Sequence, residues 1–152
     1  MSAPIVSIPP AEVEELADMI MGLQRCMMFS LSKELTRGQI SFPQFFLLGY
    51  IGSAESLSMS EIAERMNHTT AAATGMVDRL ENLGYVQRMH ADKDRRKVLV
   101  KVTRKGSSLV ATVRQDIVEN LAKMMEILPE EDCSAWLRIY RRIYQYCQTK
   151  SA

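Results

Sequence analysis

Apolar residues recur along this chain every three or four positions, then every second position over a short stretch beyond residue 84, then every three or four again. From Ala11 to about Thr36, the residues Val13, Leu16, Ile20, Leu23, Met27, Leu31 and Leu35 fall on one face of a helix that Gly38 is placed to close. Ser41-Phe42-Pro43 has the form of a helix start, a capping hydroxyl followed by a proline in the first turn. The segment it opens, QFFLLGYIGSA, is apolar nearly all round and is expected in the middle of the fold. The region Gly52–Ser58 reads as a loop, with a short strand expected at Leu57-Ser58-Met59.

Ser60 is expected to cap a third helix, SEIAERM, with Glu61 favourably placed at its positive end. Asn67 tolerates the left-handed conformation needed to leave a helix sharply. Thr69 or Thr70 then caps a fourth helix that runs to Leu83 and is ended by Gly84. Tyr85–His90 and Lys97–Thr103 are β-rich, and the second alternates, with Val98, Val100 and Val102 on one face and Leu99 and Lys101 on the other. The residues Ala91–Arg96 between them form the expected hairpin loop. Thr103 caps a helix striped by Leu109, Val110, Val113, Ile117, Leu121, Met124 and Leu128, and Pro129 opens a last helix with Trp136, Ile139, Tyr140 and Ile143 on one side. Residues 1–10, holding Pro4, Pro9 and Pro10, are expected to be a flexible arm. The apolar stripes of the first helix and of the last two are wider than a small core can cover, so a helical dimer interface is expected over 11–38 and 107–150.

At 152 residues, 47% hydrophobic and 24% charged, the chain suits one globular domain and neither a disordered nor a fibrous class. No apolar run approaches the roughly 18 residues of a membrane span, and the start is acidic rather than a basic segment leading into an apolar one. A cytoplasmic protein without a membrane partner is expected. Cys26, Cys133 and Cys147 have no C-x-x-C spacing, and only His68 and His90 could join them, so neither a metal nor a cofactor is expected. The sequence holds no nucleophile–base pair and no phosphate loop, which argues against an enzyme.

The net charge of +1 hides a strong division. Residues 1–84 hold 5 basic and 10 acidic residues, 85–105 hold 8 and 2, and 106–152 hold 6 and 6, for net charges of −5, +6 and 0. The basic charge is concentrated in one hairpin, as for a local anion contact rather than a generally adhesive surface.

Ser60–Leu83 has the spacing of a helix-turn-helix: Ala63 is small where two helices cross, Asn67 lies at the turn, and Ala73 and Met76 sit at buried positions of the second helix. An ordinary αα-hairpin has the same outline. The hairpin that follows favours the first reading, because a wing needs two short strands and an arginine-rich tip, and ADKDRRK supplies the tip. Asp94 stands two residues before Arg96, where it can hold the guanidinium in a fixed fork. A pre-aimed arginine entering the narrow minor groove avoids an ordering cost of up to about 2 kcal/mol.

The stretches SEIAERM, MVDRLENLGYVQR and DKDRRKVLVKVTRKG, in this order, resemble the MarR (multiple antibiotic resistance regulator) family of winged helix-turn-helix transcription factors. The resemblance covers most of the chain from about Ala11. It implies a mainly α fold with a small β-hairpin wing, 40–106 being the winged helix-turn-helix, and a homodimer held by the first helix and the last two. It further implies recognition helices in successive major grooves of a palindromic DNA operator and, between the dimer helices and the winged part, a pocket for a small effector. The eleven methionines would suit such an adaptable apolar cavity, or ordinary core filling.

By the same resemblance Arg96, oriented by Asp94, enters the minor groove, Arg95 and Lys97 flank it on phosphates, and Arg88 at the base of the wing is a further phosphate candidate. Where many members resemble S-R-x-T-x-T-R, this chain reads Thr69-Thr70-Ala71-Ala72-Ala73-Thr74-Gly75, without the arginines that grip guanine. Base reading then falls to the Thr70 and Thr74 hydroxyls, to methyl contacts from Ala71 or Ala72, and to His68, with a larger share from the wing and from A·T-rich DNA shape. Gly75 inside the helix costs about 1 kcal/mol against alanine, which close approach to a phosphate or close packing on another helix would explain. Arg79 can pair with Asp78 or Glu81, or reach a phosphate. Alternative functions are a winged-helix protein-interaction module and redox sensing through Cys26, although Cys26 lies in the middle of the first helix, whereas peroxide-sensing relatives place their cysteine near its start.

Overall fold

The computed structural model describes the backbone of residues 9–91 and 94–150, with the side chains among them other than those of 26–32, 94–96 and 150. In chain order the elements are α1 (Pro10–Gly38), α2 (Phe42–Ser53), β1 (Leu57–Ser58), α3 (Met59–Arg65), α4 (Thr70–Asn82), β2 (Val86–Ala91), β3 (Asp94–Val102), α5 (Arg104–Glu126) and α6 (Glu130–Lys150). The chain divides into two compact units, Met1–Arg114 and Gln115–Ala152.

Pro10 belongs to α1 rather than to the expected arm, and its fixed φ suits the first helical position, where no amide donor is needed. Residues 1–8 of that arm lie outside the described residues. The left-handed residue that closes α1 is Gln39, at φ 58°, and not Gly38; the Gln39 N–H donates to the carbonyls of Leu35 and Thr36. Gly38 serves a different purpose. A Cβ there would stand 3.0 Å from the Tyr85 hydroxyl oxygen and 3.3 Å from Leu109 Cδ2, and the Tyr85 hydroxyl donates to the Gly38 carbonyl at 3.0 Å.

α2 starts where its sequence predicts, with Pro43 in the first turn, but the Ser41 hydroxyl makes no cap hydrogen bond; the Ser41 N–H donates instead to Gln44 Oε1 at 2.8 Å. It is not buried all round. Leu47, Leu48 and Ile51 are inaccessible, but Phe46 and Tyr50, one helical turn apart on the other side, remain 53% and 41% exposed.

β1 lies where the short strand was expected, and it moves the cap of α3 from Ser60 to Ser58. Ser58 leaves the strand with extended φ/ψ, its Oγ accepts from the Glu61 N–H at 3.4 Å, and its own N–H donates to Glu61 Oε2 at 2.7 Å. Ser60 is already inside the first turn. Two hydrogen bonds donated to Glu61 Oε2, from the Ser58 hydroxyl at 2.5 Å and then from the Ser58 N–H, hold the Glu61 carboxyl below the usual glutamate range. A carboxyl whose folded pKa is depressed stabilises the fold above its unfolded pKa and loses that contribution as pH falls through the folded value. Ser58→Ala is accordingly expected to cost about 1 kcal/mol and to flatten the acid limb of the melting temperature below the glutamate range, measured by thermal unfolding across pH. An unchanged acid limb would contradict the assignment.

Asn67, at φ 51°, makes the turn into α4, and the Thr69 hydroxyl caps that helix by accepting from the Ala72 N–H at 3.2 Å. Gly84, at φ 75°, releases the chain into β2. The sheet has the order β1-β3-β2, antiparallel throughout, with Leu57 opposite Val100 and Val86 opposite Val102. The hairpin is longer than its sequence suggested, because Asp94 already pairs with Ala91. Only residues 92 and 93 separate the strands, and they lie outside the described residues.

Thr103 joins the sheet to α5. Its hydroxyl donates to the Gly84 carbonyl at 2.6 Å and accepts from the Gly106 N–H at 3.2 Å. The Lys105 ammonium donates to the Leu83 carbonyl at 2.6 Å and stands 4.6 Å from the centre of the Tyr85 ring, neutralising the negative end of α4.

The core of the first unit is Leu35, Ile40, Leu47, Leu48, Ile51, Leu57, Ile62, Ala63, Ala73, Val77, Leu80, Tyr85, Val86, Val100 and Val113. Within Gln115–Ala152 no described residue is buried, and α6 exposes Leu137, Ile139, Tyr140, Ile143, Tyr144 and Tyr146. α1 likewise exposes Val13, Leu16, Met19, Ile20, Met21 and Leu23.

Candidate nucleic-acid interface

Two elements carry the predicted contact residues, α4 and the β2–β3 hairpin. α4 buries Ala73, Val77 and Leu80 on one side. This 3.6-residue spacing leaves Thr70, Ala71, Ala72 and Gly75 exposed on the other, beside His68 and Thr69. The three hydroxyls of this face are not equivalent. Thr69 caps the helix. Thr74, half-buried, donates to the Thr70 carbonyl at 2.8 Å and so keeps only accepting capacity. Thr70 is exposed and, among the described residues, its hydroxyl has no protein partner, which leaves it able to donate or accept toward a base edge. Nδ1 of His68 lies 3.1 Å from the Asn67 carbonyl, leaving Nε2 outward on an exposed ring.

Gly75 decides between its two readings. A Cβ there would meet nothing within 4 Å, so packing on another helix does not explain the glycine. What remains is an approach from outside the chain. Gly75→Ala is expected to raise stability by up to about 1 kcal/mol through helix propensity alone while weakening DNA binding several-fold. Thermal unfolding and a binding titration on one preparation check both halves. Unchanged binding would remove Gly75 from the interface.

The wing has an irregular ladder. His90 pairs with Val98 and Ala91 with Asp94, so Arg95, Arg96 and Lys97 fall in the extra length that β3 carries across the register shift. A bulge of this kind bends a strand and redirects what it carries. The side chains of Asp94, Arg95 and Arg96 lie outside the described residues, and with them the expected aiming of Arg96 by Asp94. Lys97 is exposed, and its charge adds, after the Ser58 hydrogen bonds, to the lowering of the Glu61 pKa.

The two carboxylates that the sequence offered to Arg79 are taken by Arg88. Its Nη2 donates to Asp78 Oδ1 at 2.6 Å, its Nη1 donates to Glu81 Oε2, and its backbone N–H donates to Glu81 Oε1 at 3.0 Å. Partial burial opposes the charge of Arg88, but the hydrogen bonds it donates to Asp78 and Glu81 outweigh it, so its pKa is raised. Arg79 is exposed and makes a long 3.5 Å contact from Nη2 to the Gln39 carbonyl. The pairing across Gly84 has no periodic signature, and sequence reading missed it. The signal was that Asp78 and Glu81 stand three apart on one helix face, where a single cation can bridge both.

Among the described residues no group of three or more His, Cys, Asp and Glu is placed to hold a metal ion, and no helix is long and apolar enough to cross a membrane. Cys133 is half-buried with its thiol 3.4 Å from the Met125 carbonyl, Cys147 is exposed, and the Cys26 side chain lies outside the described residues.

Residues 40–98 match the MarR family. The chain is 33% identical over 106 residues to the HTH-type transcriptional repressor MdtR of Bacillus subtilis, covering 70% of this chain and 68% of MdtR. It is 32% identical over 96 residues to the HTH-type transcriptional regulator YfiV of the same organism, covering 63% of this chain and 60% of YfiV, less than two thirds of that relative's length. Among solved structures, a MarR family protein from Bacillus stearothermophilus superposes with a TM-score of 0.80 at 22% identity, covering 93% of this chain and 99% of that one.

Proposed function

Because this chain belongs to the MarR family, we propose that it is a sequence-specific DNA-binding transcriptional regulator, a homodimeric cytoplasmic repressor without catalytic activity. The observation that carries the reading is the conjunction of an exposed α4 face, with its free Thr70 hydroxyl and uncovered Gly75, and a stretch, 85–105, of charge +6 in a chain otherwise acidic or neutral, +4 of it on the β2–β3 hairpin itself. Neither half alone would do. A recognition helix without cations lacks affinity, and cations without a reading face lack register.

Thr70, Ala71, Thr74 and His68 face the major groove, Gly75 admits a phosphate, and Arg79, Arg95 and Lys97 hold the backbone on either side of Arg96 in the minor groove. With no guanine-gripping arginine on α4, specificity leans on the wing and on narrow A·T-rich grooves. The exposed apolar faces of α1 and of α6 are covered in a homodimer, which sets two reading heads on a palindrome. A small apolar or aromatic effector releases the operator by changing the spacing of the recognition helices, since half-sites must lie about 34–36 Å apart.

A binding titration over a salt series tests the reading. Each phosphate contact contributes a slope of about −0.9 to log K against log salt, so four to eight contacts in the dimer give a slope of about −4 to −7. A slope near zero would point to a protein-interaction module instead.

A further inference from the structure

We propose that Arg88, with Asp78 and Glu81, is a positioning brace that sets the angle between the recognition helix and the wing, rather than a phosphate contact; this rests on the DNA-reading function proposed above. Arg88 lies near the middle of β2, and both of its acidic partners lie on α4, so the pair of ion pairs spans the two elements that must enter neighbouring grooves together.

Three features support a brace. The first is charge: one guanidinium between two carboxylates leaves the cluster at −1, which repels a phosphate instead of attracting one. The second is exposure, because the Arg88 side chain is 27% exposed and is less open than either carboxylate, at 53% for Asp78 and 36% for Glu81. Its Nη1 and Nη2 are both engaged by these carboxylates.

The third is the backbone. In the order β1-β3-β2 the strand β2 is an edge, with a row of amides facing away from the ladder. One of these, the Arg88 N–H, is satisfied by Glu81 Oε1 at 3.0 Å, so Glu81 holds both the side chain and the main chain of residue 88. An isolated exposed ion pair contributes little. A guanidinium held by two carboxylates, one of which also holds the strand, resists rotation in a way a single pair does not. Fixing the wing relative to α4 before DNA arrives removes that ordering cost from binding.

The consequence is specificity rather than bulk affinity. A loose wing can still meet phosphates, but it no longer selects the groove width that accompanies the sequence read by α4.

The test compares Arg88→Met, which keeps the length of the stem, and Glu81→Gln, which leaves the Arg88 charge in place. Wild type and both variants are titrated with operators carrying A·T-rich or G·C-rich flanks over a salt series, alongside thermal unfolding. A brace predicts that both variants reduce the ratio of the two affinities about tenfold with the salt slope unchanged. Loss of folding stability alone would lower the active fraction equally on both operators and leave the ratio where it was, which would overturn the proposal.

So would a phosphate contact. In that case Arg88→Met lowers the slope by about 0.9 for each half-site, and Glu81→Gln, by freeing the arginine, tightens binding. If wild type selects neither operator over random DNA, the DNA-reading function falls and the brace falls with it; selection by wild type with an unmoved ratio in the variants overturns the brace alone.

Discussion

Replacing Arg96 with alanine is expected to abolish operator binding, and to do so more completely than replacing Thr70. A positioned arginine lost from a groove costs about 1–3 kcal/mol. A symmetric dimer loses it twice, on the order of a hundredfold or more in affinity. Thr70→Ala removes one neutral hydrogen bond for each half-site, about 1 kcal/mol, and leaves a measurable complex. Thermal unfolding is measured alongside, and no change is expected for Thr70→Ala, whose side chain is exposed. A binding titration on a defined operator decides: equal losses would contradict the division of labour between wing and helix.

The largest loss of stability is expected from Gly106→Ala. A Cβ on Gly106 would stand 2.3 Å from the Tyr85 carbonyl oxygen, 2.7 Å from Val102 Cγ1 and 3.2 Å from the Tyr85 carbonyl carbon. The first and last of these are backbone atoms and cannot rotate away. The Tyr85 carbonyl also accepts from the Thr103 N–H at 3.0 Å, so pushing α5 outward breaks the bond that joins it to the sheet. A cost of about 3 kcal/mol follows from such overpacking, a fall of about 6–12 °C in Tm for a domain of this size. A fall under 2 °C by calorimetry would contradict the geometry. Gly75→Ala, in the same fold, is expected to move Tm the other way, because its Cβ enters open space.

These two glycines show what the sequence could and could not reveal. The order of elements was legible, since helical and strand periods differ and the caps at Thr69 and Thr103 follow from hydroxyl placement. So was the concentration of charge in the hairpin. Three features were not, each for a physical reason. The cap of α3 moved to Ser58 because β1 pairs with β3 across roughly forty residues and ends at that serine, a non-local constraint that no local spacing reports. Gly38 looked like a helix stop, yet its role is to admit Tyr85, forty-seven residues away, while Gln39 takes the left-handed turn. Arg88 carried a charge that suited a phosphate, and only the fold shows two carboxylates already holding it.

The T-R-K-G segment after the wing strand is expected to cap α5 through Thr103, and the fold adds a role for its lysine and glycine. Its threonine, lysine and glycine tie α5 to the corner between α4 and β2 through Gly84, Leu83 and Tyr85. It is a joint that holds the reading head and not part of the surface that reads. The candidate DNA contacts on α4 come from the family resemblance, and the helical spacing of Ala73, Val77 and Leu80 agrees with it on which side of α4 is exposed. Their unequal hydrogen-bonding capacity, with Thr70 free and Thr69 and Thr74 partly committed, needed the coordinates.

The measurement that tests the central claim most directly is selection of bound DNA from a random library by the purified chain, followed by footprinting of the enriched sequences. A dimer of winged helix-turn-helix units predicts an inverted repeat with half-site centres about one helical turn apart, protection on one face of the duplex, and A·T-rich sequence where the wings enter the minor groove. Enrichment of no sequence over the starting library, or of a single unrepeated site without A·T-rich flanks, would contradict it.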